Sequence, residues 1–196
     1  MKCQRQQTSG KILIIGGYGK VGFLIAQRLA PLFPQKVIIA GRDLEKASKA
    51  ANNIGHGVTA RVINITSKPS SEIFEDITLV LSCINQVTTD FVEQCFRNGT
   101  SYINISAGYN FIAQVEKFDE IAKQHHATAI LGVGVSPRLT NLIAAHLLRK
   151  SGLVLRIDII LELGLGDHHG KARISHKVLT LFLFYVYNQW DSIVSG

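Results

Sequence analysis

The stretch KILIIGGYGKVGFLIAQRL, residues 11–29, decides the fold class of this chain. It opens with the apolar run ILII, places four glycines within seven residues, and ends in a segment whose apolar residues have helical spacing. An apolar run that does not alternate with polar residues is typical of a strand buried on both faces of a parallel sheet. The stretch predicts a buried strand, a glycine turn and a helix, with Val21, Ile25 and Leu29 facing the core.

The glycines follow the pattern G-x-G-x-x-G between that strand and that helix. In a βαβ unit the first glycine permits a tight turn, the second lets the backbone approach a pyrophosphate, and the third lets the helix pack closely on the strand. The helix N-terminus adds N–H groups and a partial positive charge. A plain turn would not need three glycines at this spacing, so the pattern predicts dinucleotide binding. The residues assigned to it are Gly17, Tyr18, Gly19, Lys20, Val21 and Gly22.

The end of the second predicted strand bears on the choice between NADP and NAD. An acidic residue about 20 residues after the turn would bind the ribose 2′-hydroxyl of NAD. The sequence VIIAGRD places Arg42 there instead, and a guanidinium pairs with the 2′-phosphate of NADP. Asp43 is predicted to cap the helix LEKASKAANN. NADP is therefore favoured over NAD, with a solvated loop charge as the alternative role of Arg42.

Six short apolar runs alternate with helical segments along residues 11–135, which predicts an α/β fold with a Rossmann-type doubly wound parallel sheet. The runs are ILII, VIIA, ARVINI, LVLSCI, YINIS and AILGV. Ligands of such sheets bind beyond the carboxyl ends of the strands. We therefore assign Asn64 to the adenine edge, and Cys83, Ile84 and Asn85 to the ribose near the nicotinamide. Cys83 has no base partner in the sequence and is interpreted as a packing group.

The chain is predicted to have three parts. Residues 1–10 form a polar, flexible N-terminus, and residues 11–150 form the dinucleotide-binding domain. Residues 151–196 are too few to fold easily alone and are interpreted as the start of a truncated α/β substrate and dimerisation domain. The apolar stretch VLTLFLFYVYNQWDSIV at 178–194 must be covered by the first domain or by a second copy of the chain, so a homodimer is expected.

Composition narrows the classes of partner and compartment. The net charge is +7, and the whole excess lies in the first 150 residues, which hold 17 of the 21 Lys and Arg and 10 of the 14 Asp and Glu. These basic residues are scattered singly, which argues against a nucleic-acid site. Three cysteines without CxxC spacing indicate a reducing compartment and a cytoplasmic protein. A polar N-terminus and an apolar stretch shorter than about 20 residues argue against secretion and membrane insertion.

The sequence lacks the residue patterns that other classes of functional site require. No tyrosine is followed by a lysine four positions later, as a short-chain dehydrogenase requires. The segment 134–138 ends in Arg138, where a hydrolase elbow needs glycine. His125-His126 lies near a predicted helix end, where adjacent histidines point in different directions, and His168-His169 lies in a predicted loop. Both pairs are interpreted as surface residues, and no metal site is assigned.

Four segments together resemble the saccharopine dehydrogenase-like family in its NAD(P)-binding domain. They are GGYGKVG, AGRDLEKA, NGTSYINISA and ILGVGVSPRLTNLIAAHLL, between about Lys11 and Leu148. Residues 132–141 are similar to the family segment G-x-G-x-x-P-G-L-T/S-N and contribute most to the resemblance. The resemblance implies a Rossmann domain and then a mixed α/β domain, with NAD(P)-dependent oxidation of an amino-acid-derived secondary amine or its reductive formation. GLGDHHGKA, residues 164–172, is similar to the start of that second domain.

The chain departs from the family pattern at three places. Arg138 stands where the family usually has glycine, Asn104 where it often has Asp, and residues 107–109 (Ala-Gly-Tyr) where it often has a Gly-Glu pair. Catalytic residues are therefore left unassigned, although His169 and Lys171 would approach a substrate if the second domain folds over the cleft. Two hypotheses stay open: an NADP-dependent oxidoreductase acting on an amino-acid-like amine or imine, and a truncated non-catalytic NADP-binding module.

Overall fold

A computed structural model describes residues 10–66, 69–105, 108–151 and 156–159. The chain divides between Gly134 and Val135 into two compact units. The domain boundary predicted near residue 151 stays a prediction. Four features of the sequence analysis lie outside the described residues. They are residues 1–9 of the predicted N-terminal tail, the histidine pair at 168–169, Lys171 and the apolar stretch 178–194.

The first unit is built on a six-stranded parallel sheet. Its strands are β1 (Lys11–Ile15), β2 (Val37–Gly41), β3 (Thr59–Val62), β4 (Ile77–Ser82), β5 (Ser101–Asn104) and β6 (Ala129–Ile130). They lie in the order β3-β2-β1-β4-β5-β6, so the chain reverses its direction of winding between β1 and β4. This is the Rossmann order, in which the ligand crevice opens where the strand order reverses. The predicted fold class is confirmed.

Helices connect these strands. In the first unit they are α1 (Lys20–Leu29), α2 (Leu44–Ile54), α3 (Asp90–Arg97), α4 (Tyr109–Glu116) and α5 (Asp119–Gln124), with a 3-10 turn at Ser71–Phe74. The second unit contains a π-helical turn, Val135–Leu139, followed by α6 (Thr140–Ser151). Helix α2 has the bounds that the pattern LEKASKAANNI predicts.

The central strands are buried on both faces, which explains why their sequences do not alternate. Leu13 and Ile15 of β1 belong to one core cluster, while Ile12 and Ile14 belong to a second cluster. Strand β2 divides in the same way, and all five of its residues are buried. These two clusters fix the position of β1 and β2, and therefore of the turns that follow them.

Helix α1 does not face the core with the residues that its pattern predicts. Val21 is 46% exposed, and the buried positions of the helix are Gly22 and Ala26. Ile25 and Leu29 are partly buried against the second cluster. The prediction was wrong at Val21 because two small residues let the helix axis come close to the sheet, which leaves the larger side chains at the sides of the contact.

Four strands, β3, β4, β5 and β6, end earlier than their apolar runs predict, and local structure explains two of these ends. Strand β3 ends at Val62, since Asn64 then forms a side-chain turn with Thr66. Strand β6 ends at Ile130, and Gly132 follows with a positive φ of 65°, which strand geometry does not allow. Strands β3 and β6 are also poorly buried, with Val62 56% and Ile130 52% exposed, so apolar composition predicts neither the length nor the burial of these two strands.

Candidate dinucleotide-binding site

The turn after β1 begins at Gly16, which has a φ of +74°. Gly16 N–H donates to the Ala40 carbonyl at 2.8 Å, and Gly19 N–H donates to the Gly16 carbonyl at 2.9 Å. The sequence pattern assigned the tight turn to Gly17, but the left-handed conformation that favours glycine lies one residue earlier. Gly16 is thus a residue of the turn that the three-glycine pattern missed, although the fourth glycine of the run was its signal.

Gly17 and Gly22 are required by the packing of the turn. A Cβ on Gly17 would lie 2.8 Å from Ile39 Cγ2 of the neighbouring strand. A Cβ on Gly22 would lie 2.4 Å from the Gly16 carbonyl oxygen and 2.8 Å from the Gly17 Cα. Because these last neighbours are backbone atoms, they cannot move aside without displacing the turn. The close approach predicted at Gly22 is therefore present in the structure.

Gly19 differs from Gly17 and Gly22 because a side chain there would meet few atoms. Among the described residues, a Cβ at Gly19 would meet only the Gly16 carbonyl oxygen, at 3.1 Å, and the residue is exposed. Gly19 is the N-cap of α1, it makes no side-chain cap, and the first turn of the helix holds no acidic residue. The first backbone N–H groups of a helix have no intrahelical acceptor, so they are offered to a ligand. This open, uncapped helix N-terminus fits a diphosphate.

The end of β2 supplies a cation beside this turn. A Cβ on Gly41 would lie 2.4 Å from Tyr18 Cε1, so the Tyr18 ring packs directly on the Gly41 backbone. The next side chain, Arg42, is exposed and makes no hydrogen bond or ion pair with other described residues. Its guanidinium is free to pair with an anion, as a 2′-phosphate site requires.

Asp43 has the capping role that the sequence predicts. Its Oδ1 accepts a hydrogen bond from Lys46 N–H at 3.0 Å, and its Oδ2 pairs with Lys46 Nζ at 2.8 Å. The hydrogen bond from Lys46 lowers the pKa of the Asp43 carboxyl from its ordinary value. Because this carboxylate is engaged with Lys46, it leaves the charge of its neighbour Arg42 uncompensated.

Asn64, assigned to the adenine edge, is exposed at the end of β3. Its Oδ1 accepts hydrogen bonds from Thr66 N–H at 3.1 Å and from Thr66 Oγ1 at 2.8 Å. The side-chain oxygen is therefore used within a local turn. A contact between Asn64 and adenine stays a prediction.

The end of β4 lies against the glycine turn, as the assignment of Cys83 and Ile84 requires. Cys83 N–H donates to the Ile15 carbonyl at 2.9 Å, and Ile84 Cγ2 lies 2.5 Å from where a Gly16 Cβ would stand. Burial raises the pKa of the Cys83 thiol to about 12, so the group stays protonated at neutral pH. This supports the interpretation of Cys83 as a packing group. Asn85 follows as an exposed residue.

A buried polar cluster, which the sequence analysis does not predict, lies beside these residues. Its members are Ser82, Gln86, Tyr102 and Asn104. Ser82, Tyr102 and Asn104 have at most 1% of their surface exposed. A possible signal was the polar residue that ends each of two apolar strands, since Ser82 closes β4 and Asn104 closes β5.

In the second unit, Arg138 has a φ of +116°, a conformation that a residue with a side chain rarely adopts. This is the position at which the resemblance leads one to expect glycine.

Within residues 10–66, 69–105, 108–151 and 156–159, no group of three or more His, Cys, Asp or Glu side chains is placed to hold a metal ion. His125 and His126 are exposed. No helix in the same ranges has the length and apolar character needed to cross a membrane.

Comparison with known families gives one match, to the family described as saccharopine dehydrogenase NADP binding domain, over residues 12–130. These residues contain the whole glycine turn and all six strands of the sheet except Lys11, the first residue of β1. Comparison with curated proteins gives no significant match.

Solved structures share the fold at low sequence identity. Saccharopine dehydrogenase (L-Glu forming) from Saccharomyces cerevisiae, in its apo form, has a TM-score of 0.57 and 19% identity, over 72% of this chain and 31% of that chain. A variant of KijD10, a 3-ketoreductase from Actinomadura kijaniata, in complex with TDP-benzene and NADP has a TM-score of 0.50 and 15% identity, over 73% of this chain and 44% of that chain. The chain thus spans less than half the length of these two proteins.

Proposed function

The chain belongs to the saccharopine dehydrogenase family through its NADP-binding domain, and on this premise we propose that it is the cofactor-binding part of an NADP-dependent oxidoreductase. The observation that carries the proposal is the open, uncapped N-terminus of α1 at Gly19, with the uncompensated charge of Arg42 beside it. A neutral or anionic end of β2 would not favour the extra phosphate of NADP. The same two features support NADP over NAD.

Each part of the crevice edge has a separate task in this proposal. The N–H groups at the start of α1 bind the pyrophosphate, and Arg42 binds the 2′-phosphate. Ile84 and the backbone of Cys83 and Asn85 line the side toward the nicotinamide. Bound NADP(H) would supply the hydride, and these residues would orient it and limit the access of water.

The resemblance suggests an amino-acid-derived secondary amine or imine as the substrate. Such a reaction also needs a group that exchanges a proton with the amine nitrogen. His169 and Lys171 are the candidates for that role and stay predictions. We also propose a cytoplasmic location, from the cysteine pattern, and a homodimer, from the apolar stretch 178–194.

A non-catalytic NADP-binding module is the second candidate. It is favoured by Asn104, which stands where the family often has an acidic residue. Asn104 is fully buried and is hydrogen bonded to Tyr102, so it offers no carboxylate to a substrate. A chain with this arrangement would bind NADP(H) without consuming it.

Turnover distinguishes the two candidates. The purified chain is mixed with NADPH, a panel of keto acids and an amino acid donor, and the loss of NADPH absorbance is followed. The oxidoreductase proposal expects loss that requires both co-substrates and that disappears in Gly19→Val, since a side chain there blocks the phosphates. NADPH binding without any loss of absorbance would favour the module, and loss that persists in Gly19→Val would point to a contaminating enzyme.

A further inference from the structure

The buried polar cluster lies at the carboxyl ends of two adjacent strands. Ser82 is the last residue of β4, Asn104 is the last residue of β5, and the two are partners in the sheet register. Gln86 belongs to the segment that follows β4, directly after the residues assigned to the nicotinamide ribose. The cluster therefore stands at the crevice edge, on the β4 and β5 side.

Two polar side-chain atoms take no part in the hydrogen bonds of the cluster. Gln86 Oε1 accepts from Ser82 Oγ at 3.1 Å and from the Tyr102 hydroxyl, and Asn104 Nδ2 donates to the Tyr102 oxygen at 3.3 Å. Gln86 Nε2 and Asn104 Oδ1 are both buried and have no hydrogen-bond partner among the residues that the structure describes. A buried polar atom without a partner is costly, so most such atoms have a ligand or solvent partner in the functional state.

These two atoms define the chemistry of the missing partner. One is a donor and the other an acceptor, and both belong to neutral amides. Burial raises the pKa of Tyr102 to about 12, so its hydroxyl also stays neutral. The hydrogen bonds inside the cluster involve no cation, so a carboxylate would be desolvated there without compensation. A neutral carboxamide, with one acceptor oxygen and one donor nitrogen, fits the pair.

The orientation of a bound dinucleotide would place a neutral carboxamide on the β4 and β5 side of the crevice. Arg42 lies at the end of β2, and the glycine turn lies at the end of β1. If these positions bind the adenosine half and the pyrophosphate, the nicotinamide half extends past β1 toward β4 and β5, since the strand order is β2-β1-β4-β5. The nicotinamide carries a neutral carboxamide.

We propose that Gln86 Nε2 and Asn104 Oδ1 bind the nicotinamide carboxamide of NADP(H), with Nε2 donating to its oxygen and Oδ1 accepting from its nitrogen. This inference rests on the proposed function. Both protein atoms are covered in this structure, so binding requires the segment 84–88 to move. Val87 in that segment is 89% exposed and has little packing to oppose the movement.

The test measures affinities of three ligands by calorimetry: NADP⁺, its acetylpyridine analogue, in which a methyl group replaces the carboxamide nitrogen, and 2′,5′-ADP, which lacks the nicotinamide half. The wild-type chain should bind NADP⁺ about tenfold more tightly than the analogue, because the analogue cannot donate to Asn104. Asn104→Leu should abolish this difference. Gln86→Met should weaken NADP⁺ and the analogue by similar factors, because both keep the oxygen.

2′,5′-ADP is the control for the fold and for the cofactor site. Its affinity should be unchanged in both variants, and if Asn104→Leu fails to fold, Gln86→Met still carries the test. Equal affinity of the wild-type chain for NADP⁺ and the analogue would overturn the proposal while leaving the cofactor site intact. No binding of 2′,5′-ADP to the wild-type chain would overturn the cofactor site itself, and the proposal with it.

Discussion

The glycine turn after β1 and the segment from Gly132 to Arg138 differ in how well their residues suit the backbone conformation. In the turn after β1, Gly16 has a positive φ, Gly22 lies against backbone, and Gly19 leaves its outer side open, so each position suits glycine. After β6, Gly132 of the first unit has a positive φ, and Arg138, in the π-helical turn of the second unit, also has one, at +116°. The difference shows that the glycine turn meets its stereochemical requirements, while the segment leading into α6 contains strain.

The largest expected effect is at Gly22. Gly22→Ala should lower the free energy of unfolding by about 2 to 3 kcal/mol, because the new Cβ would lie 2.4 Å from the Gly16 oxygen, a backbone atom. The measurement is urea denaturation followed by circular dichroism. Gly19→Ala is the matched control and should stay within about 0.5 kcal/mol of the wild type, since its Cβ would meet one atom, the Gly16 oxygen at 3.1 Å, and a small shift relieves that contact.

Equal stability of the Gly22→Ala and Gly19→Ala variants would contradict the distinction between a packing glycine and a ligand-facing glycine. The glycines of the turn after β1 would then not differ in their contribution to stability.

A smaller effect of opposite sign is expected in the second turn. Arg138→Gly should raise the free energy of unfolding by about 1 kcal/mol, because relief of a φ of +116° exceeds the entropy that glycine adds to the unfolded chain. The same replacement at Arg149, an exposed position in α6, should instead lower it by about 0.5 to 1 kcal/mol. Loss of stability in both variants would show that Arg138 is not strained.

The sequence was sufficient to predict the architecture because the signals were local and strong. Continuous apolar runs marked strands buried on two faces, and the glycine spacing marked the turn between β1 and α1. Asp43 as a helix cap also followed from local chemistry, since a cap depends on backbone groups only a few residues away. The family match over residues 12–130 agrees with the resemblance.

Features that depend on contacts between distant segments were not predictable in the same way. Val21 was placed in the core because periodicity does not reveal how closely small residues let a helix approach a sheet. The polar cluster could not be predicted from local sequence because Gln86 and Tyr102 are 16 residues apart and meet only in the folded sheet. The tight turn was assigned to Gly17, one residue after the left-handed conformation at Gly16, since adjacent glycines look alike in a pattern.

The most direct test of the central claim is calorimetric titration with NADPH and NADH of the wild-type chain, Arg42→Asp and Gly19→Val. We predict that the wild type prefers NADPH, that Arg42→Asp loses about 1 to 3 kcal/mol of binding free energy for NADPH but not for NADH, and that Gly19→Val binds neither. Equal losses for both cofactors in Arg42→Asp would contradict the role of Arg42. Undiminished binding in Gly19→Val would contradict the claim that the glycine turn holds the phosphates.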